Sequence, residues 1–235
     1  MDILEPILQS LRYCLIASCQ ALPDEPLHGA HIMARMAKAA EEGGASAIRA
    51  NGADDVRAIK AAVSIPVIGI IKREYAGSDV YITPTLKEVE ELLEAGADMI
   101  AFDATRRSRP GGARLEDLIR RMKQAGVASM ADVSTLDEAV HAASLGVSCV
   151  STTLSGYTDY SPQLEGPDLE LVEEAAARLS IPLIAEGRIH EPYQVEEALK
   201  LGAHAVVVGG AISRPQQITR RFSNAARKAA QSLRA

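Results

Sequence analysis

Ser64-Ile-Pro-Val-Ile-Gly-Ile-Ile-Lys72 and Ser180-Ile-Pro-Leu-Ile-Ala-Glu-Gly-Arg188 are built alike, with a Ser-Ile-Pro opening, a short aliphatic run and a charged end. Runs of this kind suit parallel strands that are buried on both faces and end at a site. Four more strand-like runs each follow a glycine that closes a helical stretch. They are Ala47 to Asn51 after Gly44, Met99 to Asp103 after Gly96, Cys149 to Thr153 after Gly146, and Ala205 to Gly209 after Gly202. Their regular recurrence, at about the length of two strand–helix units, predicts repeated β/α pairs.

Working outward, a first strand is expected over Cys14 to Gln20, a further one over Ala128 to Ser134, and the two opening runs supply Pro66 to Lys72 and Pro182 to Arg188. Helices alternate with them near 31–42, 53–63, 85–95, 114–124, 135–145, 168–179, 192–201 and 215–232, several opening on stretches such as Thr83-Pro-Thr-Leu-Lys-Glu88 and Ser134-Thr-Leu-Asp-Glu138, where a hydroxyl can cap the helix. Strict strand–helix alternation favours parallel pairing, and about eight units match a closed (β/α)8 TIM barrel. An open doubly wound sheet is the structural alternative, but Gln20-Ala-Leu-Pro-Asp24 lacks the glycine-rich turn such a sheet carries after its first strand. The expected organisation is one barrel domain over residues 1–235, with a short amphipathic segment, Ile3 to Leu11, covering its lower end.

With 47% hydrophobic but only 3% aromatic residues and no Trp, aliphatic side chains must fill the core. The net charge of −6 argues against nucleic acid and anionic membranes as partners, so anion-binding groups should be local and few. Cys14, Cys19 and Cys149 sit in apolar runs and are odd in number, which favours reduced thiols and a cytosolic setting. No basic leader or long apolar span is present. The five His residues show no convergent pattern with carboxylates, so no metal site is expected.

Alternate strand residues share a face, which aligns Ile68, Ile70 and Lys72, and likewise Ile184, Glu186 and Arg188. The same count places Gln20 after Ser18, Arg49 after Ala47, Asp103 after Ala101, Asp132 after Met130, and Thr152 or Thr153 at the end of its strand. Polar groups late on apolar faces describe a pocket at the C-terminal mouth of a barrel. Each has a structural reading too: Lys72 as a rim lysine, Glu186 as an ion-pair partner of Arg49 or Arg188, Asp103 and Asp132 as groups that orient basic residues. Gly187, Gly209, Gly210 and Arg214 lie where the last two βα loops of many barrels cradle a phosphate. Residues 73–79, 106–112 and 155–165 form long loops at the same mouth, the last being the best lid candidate.

Ser18-Cys-Gln20, Ile48-Arg-Ala-Asn-Gly52, Gly69-Ile-Ile-Lys-Arg73, Asp103-Ala-Thr105, Met130-Ala-Asp132, Thr152-Thr-Leu-Ser-Gly-Tyr-Thr158, Ala185-Glu-Gly-Arg188 and Val208-Gly-Gly-Ala-Ile212 together resemble the N-acylglucosamine-6-phosphate 2-epimerase (N-acetylmannosamine-6-phosphate 2-epimerase) family. The likeness runs from about Leu15 to Phe222 with the motifs in order. It implies a phosphate-binding (β/α)8 barrel that interconverts N-acetylmannosamine 6-phosphate and N-acetylglucosamine 6-phosphate in sialic acid breakdown, with no cofactor. It also implies Lys72 and Glu186 as the acid/base pair, and Gln20, Arg49 and Asp132 as sugar-positioning residues; Thr153 and Arg188 are counted with them as substrate-binding from their places at the strand ends. Inverting a carbon beside a carbonyl needs those parts: a base, an acid and an anion stabiliser. Two alternatives stay open, a lyase or isomerase working through a Lys72 Schiff base and a non-catalytic sugar-phosphate sensor. The assembly is also open, with a homodimer among the options.

Overall fold

The computed structural model describes residues 4–234. Its strands are β1 (Cys14–Cys19), β2 (Ala47–Asn51), β3 (Val67–Ile70), β4 (Met99–Asp103), β5 (Ala128–Asp132), β6 (Cys149–Ser151), β7 (Leu183–Glu186) and β8 (Ala205–Val208). All neighbours are parallel, and β1 pairs with both β2 and β8, which closes the barrel and excludes the open sheet. The helices are α1 (Leu4–Ser10), α2 (Ala30–Glu42), α3 (Ala53–Ala62), α4 (Leu86–Glu94), α5 (Leu115–Ala125), α6 (Leu136–Ser144), α7 (Leu169–Arg178), α8 (Pro192–Lys200), α9 (Gly210–Ser213) and α10 (Pro215–Arg234).

The alternation along the strands divides the aliphatic residues into two cores. Ile16, Ala47, Ile68, Met99, Ala128, Cys149, Ile184 and Ala205 fill the barrel interior, while Ala17, Ile48, Val67, Ile100, Ala131, Val150, Leu183 and Val206 pack outward on the helices. Small inward residues leave room for few bulky ones, so a barrel without Trp still closes its interior. Gly69 faces outward, where a β-carbon would come within 2.8 Å of Leu92 Cδ2 and 3.1 Å of Ala97 Cβ, so its bareness lets α4 lie close on β3.

Ile7, Leu8 and Leu11 pack against the interior core from below. His204 Nε2 donates to the Leu8 carbonyl at 2.7 Å. The expected amphipathic plug is present over α1; its Ile3 lies outside the described residues. The predicted caps form: Thr85 Oγ1 accepts from the Lys87 N–H (3.2 Å) while Glu88 accepts from the Thr85 N–H (2.9 Å), and Thr135 Oγ1 accepts from the Glu138 N–H (3.4 Å). Cys19 and Cys149 are buried, Cys14 is half-buried and all three are unpaired. No described helix is long and apolar enough to cross a membrane.

Two departures bear on function. Several expected strands end two residues early, so Lys72 and Arg188 lie past β3 and β7. After Ile70 the chain continues in a bridge between Lys72 and Ile82, and Lys72 N–H donates to Asn51 Oδ1 at 2.8 Å, which preserves the inward aim of Lys72. After Glu186, by contrast, Gly187 (φ 117°) and Arg188 (φ 52°) turn the backbone, so Arg188 is not the next member of the Ile184 and Glu186 face. The second departure is α10, none of whose residues over 215–233 is buried and whose later turns project from the barrel.

Candidate active site

The C-terminal mouth of the barrel holds a cavity of about 360 Å³. Gln20, Arg49, Lys72, Thr153, Glu186, Gly187, Arg188, Gly209, Gly210 and Arg214 all border it. Asp132 does not: it is fully enclosed behind Arg49. Both of its oxygens take the guanidinium, Oδ1 from Nη1 at 3.0 Å and Oδ2 from Nη2 at 2.5 Å, so its part is to fix Arg49 rather than to touch a ligand.

Arg49 is only 1% exposed. Nη1 also donates to Glu186 Oε2 at 2.8 Å, and Nε is buried with no partner. Burial works against the Arg49 charge, yet the Asp132 and Glu186 carboxyls outweigh it and hold the proton more firmly than in an ordinary arginine. Thr153 Oγ1 sits between Asp132 Oδ1 (2.8 Å) and Glu186 Oε2 (2.9 Å) and also meets Ser151 Oγ at 2.8 Å. Burial raises the Glu186 carboxyl above its usual value, with Arg49 opposing and Asp132 adding to the rise.

Lys72 Nζ faces this cluster with no acceptor among the described residues. Burial first, then repulsion from Arg49 and Arg214, lowers its pKa from 10.5 to about 8, with Glu186 and Asp132 pulling the other way. The result is a lysine that is half neutral near pH 8 and keeps a working neutral fraction at pH 7, beside a carboxyl that resists ionisation. Environments that push an amine and a carboxyl together in this way prepare proton transfer at neutral pH.

Gln20 Nε2 donates to Ser18 Oγ at 2.8 Å, and its Oε1 is buried without a donor. An orphaned buried amide oxygen on a cavity wall suits a hydroxyl or amide ligand. On the β8 side of the cavity, α9 is a single turn beginning at Gly210, so its first N–H groups have no acceptor within the turn. Arg214 is partly engaged by Glu25, Nε lying 2.8 Å from Oε1 and Nη2 donating to Oε2 at 3.0 Å. Ser213 Oγ donates to the Ser18 carbonyl at 2.6 Å and ties this turn to β1.

Arg188 borders the cavity, but its guanidinium donates to the lid: Nε to the Gly166 carbonyl at 2.9 Å and Nη1 to the Ser155 carbonyl at 2.7 Å. Asp103 also takes the structural role, accepting from Arg107 Nη2 (2.7 Å) and Thr105 Oγ1 (2.7 Å) away from the cavity. Wall residues that the sequence reading did not single out are Tyr81, Ile82, Tyr157, His190, Ser213 and Gln217. Tyr81 and Ile82 arrive because the loop after β3 folds back on Lys72, pairing it with Ile82 within the same loop. Asn51, two residues after Arg49 and thus on its face, was open to the period-two count and holds the Lys72 backbone.

The family described as "Putative N-acetylmannosamine-6-phosphate epimerase" matches residues 33–228. That span is most of the chain. The chain belongs to this family. A relative named as an N-acetylmannosamine-6-phosphate 2-epimerase of Clostridium perfringens is 57% identical over 210 residues, 89% of this chain and 95% of its own. One of Caldanaerobacter subterraneus subsp. tengcongensis is 56% identical over 218 residues, covering 92% of each. Both are curated under the same "Putative" label as the family. Among solved structures, the N-acetylmannosamine-6-phosphate 2-epimerase from C. perfringens superposes with a TM-score of 0.92 at 54% identity, covering 93% of this chain and 95% of that one. Family membership therefore extends through the elements that carry Lys72, Glu186 and the glycines after β8.

Proposed function

We propose that this protein is an isomerase that interconverts N-acetylmannosamine 6-phosphate and N-acetylglucosamine 6-phosphate by removing and returning the proton on carbon 2. The observation that carries the reading is the cavity-facing Lys72 amine, unpaired among the described residues and lowered to about pKa 8, set against the Arg49–Glu186 pair. In the open-chain sugar, carbon 2 adjoins the carbonyl. Lys72 and Glu186 exchange protons with it, while the fixed positive charge of Arg49 stabilises the enolate oxygen that forms between the two transfers. Gln20 and Thr153 hold sugar hydroxyls or the amide. Gly187, Gly209, Gly210 and Arg214 hold the phosphate, which steadies the reacting carbon through remote binding energy.

The test is proton NMR of the protein with N-acetylmannosamine 6-phosphate in deuterated water. The gluco epimer should appear with deuterium at carbon 2. Full retention of the carbon-2 proton at low conversion, or no epimer at all, would dismiss this chemistry.

The protein works as one barrel domain in the cytosol, in keeping with its unpaired cysteines, and its acidic balance leaves nucleic acid out. We assign it a homodimer that exchanges α10. An apolar groove of about 260 Å³ lies open over β1, lined by Leu15, Ala17, Met36, Ala40 and Ile212 among others. The eighth outer helix of a closed barrel belongs there, after β8 and over β1. After β8 and the single turn α9, α10 instead runs off the barrel: Gln216 and Arg221 tie its first turns to Glu25 and Glu191, but Ile218, Phe222, Ala225, Ala229 and Leu233 make an apolar stripe at helical spacing, with Phe222 75% exposed. A groove lacking its helix and a helix lacking its groove, in one chain, are satisfied together by a second copy.

A further inference from the structure

Thr153 Oγ1 has three oxygen neighbours: Asp132 Oδ1 at 2.8 Å, Glu186 Oε2 at 2.9 Å and Ser151 Oγ at 2.8 Å. A hydroxyl has one hydrogen to donate and can accept two. If Ser151 donates to Thr153, the Thr153 hydrogen serves one carboxyl, and the contact to the other lacks a hydrogen unless that carboxyl brings one. If Thr153 donates to Ser151 instead, both carboxyl contacts lack one. In either arrangement at least one proton resides on the carboxyl side, because three bare oxygens at these distances repel.

Geometry decides which carboxyl carries it. Asp132 has both oxygens on the Arg49 guanidinium at 3.0 and 2.5 Å and is wholly enclosed, the arrangement of a carboxylate anion. Glu186 receives Arg49 at one oxygen only and is 14% exposed, on the cavity wall where protons come and go. We propose that Thr153 is a positioning residue that keeps one proton on Glu186 in the ligand-free site, by accepting from Glu186 while donating to Asp132. This deepens, and rests on, the acid/base reading of Lys72 and Glu186.

The charged groups facing Glu186 are Arg49 from β2, Lys72 past β3 and Asp132 from β5. Arg49 and Lys72 favour the carboxylate, as would a Thr153 hydroxyl that donated to Glu186, whereas burial and Asp132 favour the acid; Thr153 joins the acid side only in the orientation in which it accepts, with its hydrogen on Asp132. In one turnover the Lys72 amine takes the carbon-2 proton and becomes ammonium, leaving the enolate. Glu186 then gives its proton to the opposite face of carbon 2 and becomes carboxylate. A proton has thus passed from Glu186 to Lys72 through the substrate, and exchange with solvent must restore both groups before a second turnover in the same direction. Ammonium with carboxylate is the form that runs the reverse reaction.

The test needs no substrate, so its outcome is separate from that of the deuterium experiment. The protein labelled with carbon-13 at glutamate carboxyls is titrated by NMR, the Glu186 signal being the one lost in Glu186→Gln. At pH 7 the wild type and Thr153→Ser, which keeps the hydroxyl, should both show a protonated Glu186. In Thr153→Val its midpoint should fall by at least about one pH unit, a tenfold loss of proton affinity. A merely structural Thr153 would change stability without moving that midpoint. An ionised Glu186 in the wild type at pH 7 overturns the proposal, and this reading stands even if Thr153→Val does not fold. A midpoint that is unchanged or rises in Thr153→Val also overturns it, since the hydroxyl would then be donating to a carboxylate.

Discussion

At the scale of single residues, the site trades stability for a usable base. Lys72 has its pKa held near 8 in the folded protein against 10.5 for a free lysine. Below pH 8 both folded and unfolded chains carry the proton, and folding bears the whole cost of burying it. Between pH 8 and 10.5 the unfolded chain keeps a proton that the folded one has released, so stability rises with pH by up to about 3 kcal/mol. Lys72→Met removes that dependence. At pH 7 the variant should be about 1–3 kcal/mol more stable than the wild type by urea denaturation, while turnover drops at least about 10²-fold. A variant destabilised at pH 7 would show that Lys72 makes a stabilising contact rather than a strained one. The same shift sets the pH profile: kcat/KM should climb as pH rises to about 8, where the neutral amine becomes the major form. A profile flat from pH 6 to 9 would remove Lys72 as the base. The sequence count placed Lys72, Glu186 and Arg49 on inward faces, because strand periodicity is local; it left open whether Asp132 meets ligand or Arg49, because that depends on which of two enclosed side chains reaches the other first across the barrel.

At the scale of elements, the loop after β6 is secured by Arg188. Besides the Ser155 and Gly166 carbonyls, its guanidinium lies 5.8 Å from the centre of the Tyr157 ring and presses on Gly156. Gly156 has φ 77°, and a β-carbon there would collide with Arg188 Nη1. Both conditions demand glycine. Gly156→Ala should therefore displace Arg188 and Tyr157 from the cavity wall, raising KM for the sugar phosphate several-fold and exposing residues 155–166 to limited proteolysis. Unaltered KM and protection in Gly156→Ala would mean that the guanidinium moves aside without consequence. The period-two reading extended β7 to Arg188 although Gly187 is a residue that permits a turn; the positive φ at Gly187 and Arg188 ends the strand and carries Arg188 to carbonyls more than twenty residues earlier in the chain.

At the scale of the whole molecule, the exposed α10 predicts assembly. Phe222→Asp places a charge on the apolar stripe opposite no partner of its own chain, so the monomer fold should persist while the dimer dissociates, as read by light scattering on the eluting peak. A wild-type protein that scatters as a monomer at micromolar concentration would dismiss the helix exchange. Barrel closure is unaffected in either case, since β1 and β8 pair through their own backbones.

The sequence by itself determined the alternation of strands and helices, the caps at Thr85 and Thr135, the aliphatic filling of the interior, and the inward face of each strand, because these rest on spacing within a few residues of one another. Its ordered motifs also carried the family resemblance that the comparisons bear out over residues 33–228. Tertiary structure alone decided that Asp103 serves Arg107, that Arg188 turns to the lid, that Tyr81 and Ile82 close over Lys72, and that α10 leaves the barrel. Some of these partners are near in the chain, as Asp103 and Arg107 are, and others far, as Arg188 and Ser155 are; in each case the choice among competing partners is settled by burial and by unpaired hydrogen-bonding groups that exist only once the barrel has closed.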